Sequence, residues 1–266
     1  MPRYDKARWR PVTRYDVGGA YHVAMTPRRL TLHTAVSAGT SLFDLFNTSG
    51  NPVAHFYVDG GGDAEQYVDT SYRSSAVLEG NHDSITVESW DNYPHGWRNG
   101  GDVPDWTDAQ IQWIAELAVW VNKTHSIPLV QLPSSRPGTT GIGWHRQGID
   151  GNFAGGILAG RVSGGERWSP SAGKSCPGDR KIHSIVSTII PRAIALSTGD
   201  EPMTPDDLDK IGALIDDKLA PIEKALATFR TNIGDRDHAT VARDEALGAQ
   251  LDAIHAAVTS TAPKGT

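Results

Sequence analysis

Residues 30–36 read Leu-Thr-Leu-His-Thr-Ala-Val, and this short alternation of apolar and polar side chains decides the class of fold. A period of two is typical of a half-buried β-strand. Leu30 and Leu32 would then share one face of the strand, while Thr31 and His33 share the other. The stretch therefore predicts a sheet with a core on one side and a histidine on the opposite side.

Further strands and helices follow along the chain. Residues 53–58 (Val-Ala-His-Phe-Tyr-Val) and 84–89 (Ser-Ile-Thr-Val-Glu-Ser) also predict strands. A helix is predicted over about 107–122, because Thr107 is a good N-cap and Gln110 completes a capping box. An apolar face over residues 179–196 predicts another helix. We therefore expect an α/β fold with a mixed central sheet, antiparallel at its edges and flanked by helices.

The predicted domain organisation has three parts. Residues 1–198 form one domain, whose core spans about 28–196 behind an irregular lead-in. Residues 199–205 have the composition of a linker. Residues 206–266 repeat apolar side chains at steps of three and four, which predicts an α-helical tail in which Pro221 ends or kinks a helix. An exposed stripe of this kind needs a partner, so we expect self-association or packing within a small helical unit.

Composition excludes several classes of function. The formal net charge is −6, of which residues 201–266 carry 12 acidic and 7 basic side chains. An acidic chain argues against a nucleic-acid partner. No apolar run is long enough for membrane insertion, and residues 1–10 lack the apolar core of a signal peptide. We therefore expect synthesis in the cytoplasm, with export dependent on another protein.

The one cysteine, Cys176, lies in the string Gly-Lys-Ser-Cys-Pro-Gly-Asp at residues 173–179. A single thiol forms no internal disulfide, so it is a packing residue, a nucleophile or a metal ligand. Together with His33 and His145 it makes a three-ligand zinc set, and an open fourth position distinguishes catalytic zinc from structural zinc. Each of these residues on its own is more often structural than a ligand.

Hydrolysis of an amide at zinc needs two further groups. A carboxylate must take a proton from water and deliver it to the leaving nitrogen. A fixed cation or donor must stabilise the oxyanion. Glu88 on a predicted strand and Lys174 beside Cys176 supply these groups, although alone they would be a solvated edge carboxylate and a loop lysine.

Four motifs carry a resemblance to a known family. Residues 32–35, 81–88, 143–146 (Gly-Trp-His-Arg) and 174–178 (Lys-Ser-Cys-Pro-Gly) resemble, in that order, motifs of zinc-dependent N-acetylmuramoyl-L-alanine amidases of the type 2 class. These enzymes share a fold with peptidoglycan recognition proteins. The resemblance covers about residues 28–196, and the general look is that of endolysins from phages of actinobacteria.

The resemblance implies a role for each candidate residue. His33, His145 and Cys176 would bind one Zn²⁺, Glu88 would act as general base and Lys174 would steady the oxyanion. The substrate would be bacterial peptidoglycan, cut between N-acetylmuramic acid and the L-alanine of the stem peptide. The enzyme would wait in the host cytoplasm until lysis and then reach the cell wall.

The sequence departs from the family at two positions. Thr34 follows His33 where the family often has a second histidine, and Ala54 stands where many members carry a catalytic tyrosine. The role of that tyrosine is then absent, or is filled by Tyr57 or by Glu88 alone. Tyr57 is therefore a candidate substrate-binding residue, and Trp168, in the glycine-rich stretch before Lys174, is another because its ring could stack on a sugar.

Three other functions stay open at this point. A recognition-type protein of the same fold would bind peptidoglycan without cutting it, although the presence of Cys176 argues against this. A cytoplasmic amidase would recycle wall fragments. A thiol hydrolase would use Cys176 as its nucleophile, with a helix N-terminus lowering the thiol pKa.

Overall fold

The structure, a computed structural model, describes residues 2–13, 23–48, 50–92, 99–199, 205–234 and 241–260. The chain divides into two compact units, Met1–Glu201 and Pro202–Thr266. The predicted linker lies almost wholly outside the described residues, which resume at Pro205.

The first unit contains a mixed sheet, as predicted, and its described residues form six strands. Its strands are β1 (Arg8–Trp9), β2 (Arg29–Leu32), β3 (Phe56–Val58), β4 (Ala64–Gln66), β5 (Ser84–Ser89) and β6 (Gly141–Trp144), in the spatial order β1-β4-β3-β5-β2-β6. The prediction of antiparallel edges is wrong. Within the described sheet only β3 and β4 pair antiparallel, because they form a hairpin, whereas the edge strands β1 and β6 pair parallel with their neighbours.

Both edge strands fall where no strand was predicted. β1 lies in the lead-in that was expected to be irregular, and it joins the sheet through β4. β6 contains two glycines, and because glycine is depleted in strands, residue propensities do not predict this strand. Gly143 is needed because a Cβ there would lie 2.3 Å from Oε1 of Gln147 and 2.7 Å from Cδ2 of Leu132. Close packing at this edge therefore overrides strand propensity.

The three longer helices of this unit cover one face of the sheet, and one short helix packs on the other face. α1 spans Phe43–Phe46, α2 Asp108–His125, α3 Asp179–Ser184 and α4 Ile190–Thr198, and a π-helical turn over Ile185–Ile189 joins α3 to α4. The capping box of α2 is confirmed. The backbone amide of Gln110 donates to the Thr107 hydroxyl at 3.2 Å, and the backbone amide of Thr107 donates to Oε1 of the Gln110 side chain at 3.0 Å. Short 3-10 turns lie at Leu78–His82, Gly100–Asp102, His145–Gly148 and Gly156–Leu158.

The prediction that alternate apolar residues of these strands share one face is confirmed. Leu30, Leu32, Ile85 and Val87 all join one hydrophobic core with α2, α3 and α4. A second, smaller cluster on the other side contains Tyr57. The strand over residues 29–32 is not half-buried as expected, because all four residues are buried. The polar positions of β2 and β5 therefore lie in a covered interior, on the face opposite α2, α3 and α4.

The described residues of the second unit form two helices, α5 (Pro205–Gly234) and α6 (Val241–Ser260). Of the two expectations for Pro221, an end or a kink, the end is wrong, since α5 continues through this residue. Several apolar side chains whose exposure is described are open to solvent: Leu214, Ile215, Ile222, Leu247 and Ile254. None of the helices in the described part of the chain is long and apolar enough to cross a membrane.

Candidate active site

Strand register places three candidate residues side by side. Leu32 of β2 is opposite Val87 of β5 on one side and Trp144 of β6 on the other. One step further along these parallel strands come His33, Glu88 and His145. Carboxyl ends of parallel strands are where α/β folds usually build their sites, and this register brings together residues that are 112 positions apart in sequence.

Cys176 completes a compact group of donor atoms. One ligand atom from each of His33, His145 and Cys176 lies within 4.8 Å of the other two. The two imidazole rings are 4.4 Å apart between centroids. Because 4.8 Å is about twice a zinc–sulfur bond of roughly 2.3 Å, one ion can reach all three atoms.

Both imidazoles are held in the neutral form that metal binding requires. Burial lowers the pKa of His33 well below its usual value and that of His145 to about 4. Nε2 of His145 lies 3.0 Å from the Trp168 carbonyl, which only accepts, so Nδ1 carries the free lone pair. Nε2 of His33 is buried and has no hydrogen-bond partner among the described residues. These two nitrogens therefore fit a metal.

The Cys176 thiol is poorly suited to act as a nucleophile. Burial, with the nearby Glu88 carboxyl, raises the pKa of Cys176 to about 12. A reactive thiol needs the opposite shift, which argues against the thiol hydrolase. A divalent cation deprotonates a coordinating thiol outright, and the Thr34 amide already donates to Sγ at 3.3 Å. The donor set as a whole fits zinc.

Glu88 is not the solvated edge carboxylate that its sequence context allowed. β5 lies between β3 and β2, and the Glu88 side chain is 19% exposed. Oε1 lies 3.5 Å from Nδ1 of His33, and Oε2 has no partner among the described residues. Burial raises the pKa of Glu88 to about 8, with Asp91 adding to the rise and Lys181 opposing it. Such a carboxyl can exchange a proton near neutral pH.

A cleft of about 520 Å³ opens over these groups. Its polar end contains Glu88, His145, Cys176 and the exposed Lys174. Its apolar wall is formed by Ala35, Val36, Phe46, Pro52, Ala54, Ala76 and Val103. Val36 presents its side chain from a left-handed backbone with φ of 53°. The structure thus brings both candidate catalytic residues and two candidate ligands to one cleft, and the third ligand, His33, is buried beside them.

The two candidate substrate-binding residues do not line this cleft, and those predictions are wrong. Trp168 is 1% exposed and packs against Val77 and Leu132, so its ring cannot stack on a sugar. Tyr57 is 0% exposed, and its hydroxyl donates to the Gly39 carbonyl. Trp168 instead serves the site through its carbonyl, which orients His145.

Three residues near the site were missed from sequence. Arg146 pairs with Asp179 at 2.7 Å and donates to the Ser175 carbonyl at 2.6 Å, which braces the turn that carries Cys176. Asp91 and Lys181 are buried beneath the turn after His33. Lys181 had one sequence signal, since it stands four residues before Ile185 on the apolar stripe of its helix.

Several solved structures resemble this chain. LysC, an N-acetylmuramoyl-L-alanine amidase from Clostridium intestinale URNW, is 13% identical with a TM-score of 0.42, covering 70% of this chain and 95% of its own. PlyL is 18% identical with a TM-score of 0.45, covering 70% and 96%. The Staphylococcus aureus hydrolase AmiA, solved with its ligand, is 13% identical with a TM-score of 0.43, covering 75% and 88%. No curated protein matches the sequence.

A family model provides the remaining comparison. The model for N-acetylmuramoyl-L-alanine amidases matches residues 23–179. This range contains His33 and every residue named at the polar end of the cleft. Because the match also spans more than half of the 266 residues, the chain belongs to the N-acetylmuramoyl-L-alanine amidase family.

Proposed function

We propose that this chain is a zinc-dependent hydrolase of bacterial peptidoglycan, which cuts the amide between the lactyl group of N-acetylmuramic acid and L-alanine of the stem peptide. The observation that carries the proposal is the convergence of ligand atoms from His33, His145 and Cys176 beside Glu88, at the polar end of one cleft. Three protein ligands leave a coordination position open, as catalytic zinc requires. When bound, the ion would supply Lewis acidity toward a carbonyl oxygen and would acidify water.

The protein's own groups supply the proton transfers. Oε2 of Glu88 has no hydrogen-bond partner among the described residues. The Glu88 pKa of about 8 suits both uptake and release of a proton. It would take the proton of the attacking water and return it to the leaving nitrogen of L-alanine. The exposed Lys174 at the cleft wall would place its ammonium group near the developing oxyanion.

This scheme operates without a catalytic tyrosine. Ala54 lines the cleft at the place where the resembling family often carries one. Tyr57, the nearest substitute in sequence, is buried with its hydroxyl engaged by Gly39. His55 is also buried, with Nε2 2.9 Å from the Tyr72 carbonyl, so it is structural. Glu88 therefore carries proton transfer alone.

The biological role that fits best is cell-wall lysis by a phage endolysin of an actinobacterial host. It rests on the resemblance of the motifs at residues 143–146 and 174–178. The enzyme would reach the wall from the host cytoplasm at lysis. The helical tail, with its exposed apolar side chains, would act in self-association or in wall binding.

One experiment tests the reaction. Purified wild type and Cys176→Ser are compared for bound zinc and for release of free L-alanine amines from cell walls. The wild type should bind one zinc and release amines, whereas Cys176→Ser should lose the metal and at least about 100-fold in activity, since even outer-shell changes cost 10–100-fold. His183→Gln, an exposed position on α3 outside the cleft, should match the wild type.

Other results would favour other functions. Release of reducing sugars without L-alanine amines would indicate a glycosidase. Wall binding without any bond cleavage would indicate a recognition protein. Cleavage of soluble muropeptides but not of intact wall would indicate a recycling amidase.

A further inference from the structure

Lys181 is a buried lysine that the scheme above does not use. Its side chain is 0% exposed, and its ammonium group lies 5.2 Å from the Trp106 ring centroid. Nζ donates to the Thr34 hydroxyl at 3.0 Å, the Ser89 hydroxyl at 3.0 Å and the Trp90 carbonyl at 3.4 Å. An ammonium has three donors, so all are satisfied. A buried charge is costly to desolvate, and this arrangement therefore needs a reason.

The two hydroxyls that Lys181 contacts both connect to the peptide group between His33 and Thr34, the first by a hydrogen bond from Ser89 and the second through the Thr34 side chain itself. The Ser89 hydroxyl donates to the His33 carbonyl at 2.7 Å. On the other side of the same peptide group, the Thr34 amide donates to Sγ of Cys176 at 3.3 Å. A single peptide plane therefore connects two of the three proposed zinc ligands.

Asp91 fixes the orientation of the Thr34 hydroxyl. Its Oδ2 accepts from that hydroxyl at 2.8 Å and from the Val36 amide at 3.0 Å, while Oδ1 accepts from the Ser37 amide at 2.8 Å. Because Thr34 donates to Asp91, its oxygen is left to accept from Lys181. The carboxylate also offsets the lysine charge, so Lys181, Thr34 and Asp91 form one buried chain of charge-assisted hydrogen bonds.

We propose that Lys181 is a positioning residue for the zinc site, which it serves by holding the His33–Thr34 peptide through Thr34 and Ser89. This inference rests on the proposed zinc site. It gives Thr34 a purpose at the place where a second histidine is common: its hydroxyl locks the peptide, and its amide stabilises the thiolate of Cys176. Outer-shell partners of this kind contribute about 10–100-fold to metal affinity.

The test compares nearly isosteric threonine substitutions on the full chain. Thr34→Val removes the hydroxyl that Lys181 and Asp91 share, whereas Thr34→Ser keeps it. The matched control is Thr31→Val, because Thr31 is buried on the same strand and its hydroxyl has no partner among the described residues. Zinc affinity is measured by competition with a chelator, thermal stability is measured on the metal-free proteins, and the thiolate-to-cobalt absorption band is recorded after Co²⁺ loading.

The expected result is a loss of about 10–100-fold in zinc affinity for Thr34→Val, recovery in Thr34→Ser and no change in Thr31→Val. A shifted cobalt band in Thr34→Val would support a change in the thiolate environment, which loss of stability alone would not produce. Should Thr34→Val fail to fold, Ser89→Ala carries the same expectation through the His33 carbonyl.

Two outcomes overturn the inference, and they differ from each other. Unchanged zinc affinity and an unchanged cobalt band in a folded Thr34→Val would overturn the positioning role while leaving the proposed function intact. A wild type that binds no zinc would overturn the proposed site, and the positioning role with it.

Discussion

The two ends of strand β2 carry buried polar groups of opposite design. At the amino end, Arg29 is 0% exposed and pairs with Asp83 and with Glu166, each at 2.7 Å. At the carboxyl end, the ligand atoms of His33, His145 and Cys176 converge on one another. At the amino end, the positive charge of Arg29 is therefore paired with two carboxylates. At the carboxyl end, three electron-pair donors lie close together without a paired cation.

This difference separates stability from function within one strand. Removal of one partner from a buried ion pair leaves an uncompensated charge in the interior, which destabilises the fold strongly. Donors that face one another without a cation between them contribute little to the fold and are arranged for an external ion. Substitutions at the amino end should therefore change stability, and substitutions at the carboxyl end should change activity.

The largest effect is expected for Glu88→Gln. Loss of a general base costs about 10²–10⁴-fold in rate, while zinc content and the native fold should be maintained, because Glu88 is not one of the proposed zinc ligands and has no ion pair with a lysine or arginine among the described residues. Amine release at saturating muropeptide measures the rate. Glu166→Gln, at the opposite end of the strand, is the matched control and should keep its rate. Equal losses of rate in both variants would contradict the assignment of catalysis to the carboxyl end of β2 alone.

Arg29→Met tests the other end. It leaves two buried carboxylates without their partner, so the free energy of unfolding should fall by about 3–5 kcal/mol. Urea denaturation of the metal-free protein measures this fall. The rate per folded molecule and the zinc affinity should stay within twofold of the wild type. A stable but inactive Arg29→Met protein would contradict the assignment of this end to stability.

The free energy of unfolding of the metal-free protein should fall as the pH is lowered below about 6.5. Burial lowers the pKa of His33, and it lowers the pKa of both His55 and His145 to about 4. The unfolded chain takes up these protons first, near a pKa of about 6.5, so stability falls as pH drops through this window, by up to about 1.4 kcal/mol per pH unit for each histidine.

Glu88 acts in the opposite direction, because its raised pKa lets the folded state bind the extra proton between about pH 4.5 and 8. Three histidines outweigh one carboxyl below pH 6.5. Glu88→Gln should therefore steepen the decline, and urea midpoints at pH 6.5 and 5 in the presence of a chelator measure it. Equal midpoints at the two pH values would contradict this account.

The smallest catalytic effect is expected for truncation after residue 198. The site lies wholly within residues 33–176, so turnover of a soluble muropeptide should change less than twofold. Loss of wall binding or of multimer mass, measured by pull-down and light scattering, would assign the helical tail to attachment or self-association. A truncated protein that is folded but inactive would show that the tail contributes to the site.

Local signals in the sequence predicted much of the fold. The capping box at Thr107 located the start of α2, because its hydrogen bonds form between neighbouring residues. The predicted end of that helix is three residues too early, because Lys123 and His125 are not apolar and so do not extend the hydrophobic pattern. The helix stops at Ser126, which has a left-handed backbone conformation. β6 was missed because the requirement for Gly143 comes from Gln147 and Leu132, in the turns around the strand.

The site could be predicted only as a set of residue types. The motifs around His33, His145 and Cys176 indicated a ligand set, and the structure brings those three together. Lys181 and Asp91 had no motif, because their importance lies in contacts with Thr34, 147 and 57 positions away in sequence. Trp168 was assigned to the substrate from its residue type, and burial against Leu132 overrides that assignment.

Val36 has a consequence for the heat tolerance of the enzyme. A branched side chain in a left-handed backbone costs about 1–3 kcal/mol, and here the Asp91 carboxylate holds the backbone in place while the isopropyl group forms part of the cleft wall. Glycine at this position would relax the backbone but remove the side chain from the cleft wall. Asparagine would also relax the backbone but would make that part of the wall polar. Selection for a hardier enzyme and selection for a faster one would therefore favour different residues at this one position.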